Sequence, residues 1–193
     1  MKRRAEVRTL RRLCFDTENS YFKSGIGIAS AETHRTLIQE RHALRPIRLK
    51  CAVVYDEVEG HFHEFHPHQL EALVDCLLSA DLLISHSGTR HDLPILECLA
   101  GEERTAPLFR LPHHDLLDEL PWASVENHAR HYVPVLWEQY AAEYDERRAS
   151  VIAADKSGKE NSLTNGSYLL LELAKATFDV KCTYAVYEAT LAR

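Results

Sequence analysis

Nowhere in the 193 residues does an apolar run approach the length needed to cross a bilayer. The N-terminal stretch Met1-Lys2-Arg3-Arg4-Ala5-Glu6 is basic but lacks the apolar segment of a secretory signal. Both absences lead us to expect a cytoplasmic protein with no membrane partner. Cysteine is sparse and poorly spaced for cross-linking. Cys14, Cys51, Cys76, Cys98 and Cys182 form no C-x-x-C pair, and an odd number argues against a closed disulfide framework. They read most simply as small buried apolar residues.

Positive charge is also short. A formal net charge of -6 excludes a protein that holds nucleic acid by bulk attraction. The cations are uneven, however: Lys2, Arg3, Arg4, Arg8, Arg11 and Arg12 form one group, and Arg35, Arg41, Arg45, Arg48 and Lys50 another. Such clusters suit a local basic track beside an acidic site, and equally an ordinary solvated surface. A phosphate loop is lacking too. Lys156-Ser157-Gly158-Lys159 has neither the G-x-x-x-x-G-K-[ST] spacing nor an apolar strand leading into it.

What is present is enough apolar material, 45% of the chain, for a full core in one domain. We therefore expect a single domain over 1–193 with a polar loop or insert around 153–166. Thr9 to Phe15 reads as a first strand, and Asn19 to Ile28 as turn-rich chain with Gly25 and Gly27. Ala31 to Arg45 is a helical or irregular insert. Ile47 to Tyr55 and His61 to Phe65, separated by Asp56-Glu57-Val58-Glu59-Gly60, predict a β-hairpin. Pro67 to Leu78 is an amphipathic helix, and Asp81 to Ser85 a short buried strand. That strand runs through a turn marked by Gly88 into a helix opened by Asp92 and continuing to about Leu99. Leu108 to Leu111 is a candidate last strand, with Asp115 capping the helix that follows. Pro121 to Ser150 is mostly helical, with Val135, Leu136, Tyr140 and Tyr144 expected to face inward. Ser167 to Arg193 is the strongest helix, with Leu169, Leu173, Ala176, Val180, Tyr184, Tyr187 and Leu191 as its buried stripe. The pattern predicts an α/β fold whose sheet starts antiparallel and continues parallel, with flanking helices.

The chemistry gathers at Cys14-Phe15-Asp16-Thr17-Glu18-Asn19. Alternation along a strand sends Asp16 and Glu18 to one face and Phe15 and Thr17 to the other. Two carboxylates on one face repel, which raises a pKa or recruits a hard divalent cation such as magnesium or manganese. A strand end merely entering a turn fits the same residues. His61 and His63 alternate onto one face as well, but no second pair at zinc-like spacing follows, so an exposed hairpin is the preferred reading over a metal site.

Three segments, FDTEN (15–19), ISHSGTRHDLPIL (84–96) and FDVKCTYAVYE (178–188), occur in an order that resembles the DEDD superfamily of 3'-5' exonucleases. The second is similar to the predicted exonuclease branch, which reads close to S-H-N-G-x-x-F-D-x-P-x-L. The resemblance implies a ribonuclease H-like fold and a metal-dependent nuclease in which Asp16, Glu18, Asp92 and Asp179 hold two magnesium or manganese ions. Asp16 would bridge both, Glu18 and Asp179 would serve the water-activating ion, and Asp92 the other. Asn19 and Ser20, with His86 and Ser87, would lie near the 3' end of single-stranded DNA or RNA. The family's water-orienting tyrosine or histidine, four or five residues before the last acid, is replaced by Lys175 or Ala174. Lys175 would then orient water or neutralise charge, with His91, His113 and His114 as alternatives. The same residues suit a catalytically weak or inactive nucleic-acid-binding or scaffold module, and a protein partner or homo-oligomer is compatible with either reading.

Overall fold

The computed structural model describes residues 9–20, 30–121, 123–155 and 163–192. Most of the basic N-terminal cluster, Gly25 and Gly27, and the Lys156–Lys159 stretch lie outside them. The continuous apolar run Leu13-Cys14-Phe15, buried on both faces, builds β1 (Arg12–Asn19), which sits at the centre of a five-stranded sheet of order β3-β2-β1-β4-β5. Its partners are β2 (Leu49–Asp56), running antiparallel, and β4 (Leu82–Ser85), running parallel. β3 (His61–Phe65) closes the expected hairpin onto β2, and β5 (His113–Asp115) extends the parallel side. The sheet is thus α/β and mixed, consistent with a ribonuclease H-like arrangement. β1 is longer than its apolar run indicated, because pairing with β2 continues through Glu18 opposite Cys51. The two carboxylates therefore lie within the strand.

Two cores follow from the pleat of β1. Leu13 and Phe15 face one side, where they meet Leu73, Val74 and Leu77 of α2 (Leu70–Leu78) and Leu93 and Leu96 of α3 (Asp92–Ala100). α1 (Ala31–Leu44) leans on α3 through Ile38, Ile47 and Ile95, so the insert is helical. Cys14 faces the other side, where it meets Leu173, Ala176 and Val180 of α8 (Asn165–Leu191). Cys14 Sγ donates to the Val180 carbonyl at 3.7 Å, which fastens the long helix to the central strand. α6 (Val125–Tyr132) and α7 (Pro134–Ala154) cover the outer flank of α8.

Several expectations are corrected. Leu108–Arg110 is a 3-10 turn, not a strand. Pro107 is held in a helical conformation, and the ladder with β4 begins only where the Leu83 N–H reaches the Pro112 carbonyl at 2.9 Å. Two short helices, α4 (Glu102–Thr105) and α5 (Leu116–Glu119), bracket that region. In α7 the inward side is carried by Trp137 and Tyr140, while Val135 and Leu136 are exposed. Leu191, at the last turn of α8, is also exposed. α7 runs to Ala154 and α8 starts at Asn165, so both ends of the expected polar loop are helical. No helix among the described residues is long and apolar enough to cross a membrane.

Candidate active site

At the C-terminal end of β1 a cavity of about 280 Å³ is lined by Asp16, Thr17, Glu18, Asn19, His86, Ser87, His91, Asp92, Lys175 and Asp179. The four acids, Lys175, Asn19, His86 and Ser87, all singled out from the sequence, are there, and Ser20 is not. Ser20 instead prolongs the β1–β2 ladder, with its N–H on the Arg48 carbonyl at 2.9 Å and its Oγ accepting the Arg48 N–H at 2.8 Å.

Three elements meet in the cavity. β1 supplies Asp16 and Glu18 on the α8 side, and α8 brings Asp179 to them. One carboxylate oxygen from each of the three lies within 4.8 Å of the others. Asp92 enters from the opposite face of β1, at the first residue of α3, where a helix N-terminus favours an anion. Its Oδ1 accepts Thr17 Oγ1 at 2.5 Å. The alternation that points Asp16 and Glu18 at α8 thus uses Thr17 to hold the acid arriving from the other side.

So many carboxylates in one place shift one another. Burial, then the charges of Asp92, Asp179 and Glu18, hold the Asp16 carboxyl well above the usual range. Burial also pushes Glu18 up, although Lys175 pulls it down. Lys175 Nζ donates to Glu18 Oε1 at 2.6 Å and to Asp179 Oδ2 at 2.7 Å. Burial opposes its charge, but Asp179, Glu18 and Asp16 outweigh burial and hold the ammonium pKa above its ordinary value. Without metal, these acids hold Lys175 as an ammonium. Ala174 lines a different cavity, of about 80 Å³, with Tyr140, Tyr144 and Phe178. On a helix the residue four before Asp179 shares its face and the residue five before it does not.

The donor set fits a hard divalent cation. Asp16 Oδ2 is buried and accepts no hydrogen bond, and its neighbours Glu18 and Asp179 offer further carboxylate oxygens. These acidic groups can hold a metal ion. A second acidic group, Asp56 and Glu59 with His63, has a cation already, because Arg11 lies 2.6 Å from Asp56 and 3.7 Å from Glu59. His63 joins Glu59 at 3.2 Å, and its ring meets that of His61 edge-on with centroids 5.1 Å apart.

The loop from β4 to α3 carries His86, Ser87 and His91. In the turn marked by Gly88, it is Ser87 that has positive φ (73°). Gly88 is needed for space, since a Cβ there would lie 2.3 Å from Ser85 Oγ. Asp115 both caps α5 and holds this loop, accepting Ser87 N–H at 2.7 Å and Thr89 N–H at 2.9 Å. The sequence signalled the cap but not the loop anchor, because the two partners are 28 and 26 residues away. His128, also missed, meets His86 Nε2 through its Nδ1 at 3.1 Å and the Pro121 carbonyl through its Nε2 at 2.8 Å. His113 bonds Ser85 Oγ at 2.8 Å, and His114 pairs with Glu119 at 3.2 Å. Neither lines the cavity, so of the three alternative histidines only His91 does.

A DNA-directed DNA polymerase of Enterobacteria phage T3 is 30% identical to this chain over 77 residues, which are 38% of the chain. The chain spans 11% of that polymerase's length. No protein-family model matches the chain.

Proposed function

We propose that the protein is a divalent-metal-dependent 3'-5' exonuclease that hydrolyses phosphodiester bonds of DNA or RNA and releases nucleoside monophosphates. The observation that carries this reading is convergence: Asp16, Glu18, Asp92 and Asp179, from three separate segments, line one cavity with His86, Ser87 and His91. The partial similarity to a DNA-directed DNA polymerase supports a substrate of the nucleic-acid class. Two magnesium or manganese ions held by the carboxylates would neutralise phosphoryl charge and activate the attacking water. The chain's own residues do the remaining work. Thr17 fixes the Asp92 carboxylate, and Asn19, His86 and Ser87 line the mouth where the terminal nucleotide of a single strand would enter. Without metal, Lys175 neutralises Glu18 and Asp179.

The ion pairs of Lys175 favour a second reading, a nucleic-acid-binding or scaffold module on the same fold whose lysine replaces the metal charge. End-labelled single-stranded DNA and RNA, incubated with magnesium or manganese, separate the two. Release of mononucleotides by wild type and not by Asp16→Asn supports the nuclease. Binding without release in either metal supports the module.

A further inference from the structure

The geometry points to Lys175 as a tethered cation that competes with a divalent ion for the Glu18–Asp179 side of the site. This inference rests on the metal-dependent reading above. The ammonium bridges two of the three clustered carboxylates, at 2.6 Å and 2.7 Å. Because the oxygens of Asp16, Glu18 and Asp179 lie within 4.8 Å of one another, an ion bound to that set falls beside Nζ. Magnesium sits about 2.0–2.1 Å from its oxygens. At such separations a divalent ion and an ammonium repel strongly, so the two occupy the Glu18–Asp179 side in turn.

The rest of the site is arranged differently. Asp16 Oδ2 is buried without a hydrogen-bond partner, and Asp92 lies across β1 beside Thr17. That side takes an ion without displacing the lysine. Lys175 has the means to yield, since its side chain is 49% exposed on a flexible four-carbon stem. Glu18 and Asp179, at 17% and 16%, stay in place. The wild-type protein therefore fills one position readily and a second only when the ammonium swings out. Occupancy of the second position sets the metal concentration at which the site becomes complete, and the lysine holds the acids together until then.

Calorimetric titration of manganese into wild type, Lys175→Met, Lys175→Gln and Lys175→Arg tests this, alongside thermal melting in chelator and in manganese. The neutral variants are expected to bind manganese at least about tenfold more tightly on this side, or to gain a second equivalent, while Lys175→Arg stays near wild type. In chelator the neutral variants melt below wild type, and manganese raises their midpoints more than it raises that of wild type. If Lys175→Met does not fold, Lys175→Gln carries the same comparison. Equal affinity and stoichiometry in wild type and the neutral variants overturns the proposal and leaves the metal site standing. Absence of manganese binding to all four proteins overturns the metal-dependent reading, and this proposal with it.

Discussion

Replacing Asp115 tests whether the loop bearing His86, Ser87 and His91 is held from beneath. The residue is 2% exposed, and its Oδ1 accepts the N–H groups of Ser87 at 2.7 Å and Leu117 at 3.2 Å. Oδ2 accepts Thr89 N–H at 2.9 Å and Thr89 Oγ1 at 2.6 Å. In Asp115→Asn one oxygen becomes an amino group. At the Oδ1 position it would confront two N–H donors, whereas at Oδ2 it confronts one N–H and a hydroxyl that can turn to accept. The second orientation wins, leaving one unpaired N–H and the loss of charge assistance, about 1–3 kcal/mol. Asp115→Ala leaves all three N–H groups without this acceptor. At about 1–3 kcal/mol each, less what water recovers, its cost is about 3–5 kcal/mol. Thr89→Val removes only the hydroxyl bond, about 1 kcal/mol. Urea unfolding in chelator should show the largest loss for Asp115→Ala, a smaller one for Asp115→Asn and the smallest for Thr89→Val, and hydrogen exchange should show the Ser87 and Thr89 amides losing protection in Asp115→Ala. An alanine variant within about 1 kcal/mol of wild type, with both amides still protected, refutes the reasoning.

Gly88→Ala should cost about 1–3 kcal/mol by overpacking, since the new Cβ would lie 2.3 Å from Ser85 Oγ and 2.6 Å from Ser85 Cβ; an unchanged melting midpoint would contradict this. Thr17→Val should lower stability by about 1–2 kcal/mol by stripping Asp92 of its 2.5 Å bond, read by urea unfolding in chelator. The raised Asp16 pKa has a definite sign. The folded state prefers the proton, so the stabilisation is full below the ordinary value near pH ~3.9 and is lost as pH rises through the raised folded value. Metal-free Asp16→Asn should therefore melt above wild type at pH 8, with the gap closing toward pH 4. The opposite order at pH 8 would count against the carboxylate cluster.

The residues alone carried the arrangement on either side of β1. Period-two alternation is a local property of an extended chain, so it places Asp16 and Glu18 opposite Phe15 and Thr17 without reference to packing. Likewise, helical spacing put Lys175 on the face of Asp179. The errors fell where local pattern carries little information. A short apolar run such as 108–111 fits a strand or a turn until the prolines beside it and its partner strand decide, and the exposure of Val135 and Leu136 depends on which side of α7 meets α8. Only the tertiary structure decided that Lys175 bridges Glu18 and Asp179, that Thr17 holds Asp92, and that Asp115 supports the loop beneath Ser87. Each of these joins groups on different elements, two of them across 157 and 75 residues. A buried polar group takes whichever partner the fold delivers, so no local spacing in the chain encodes that choice.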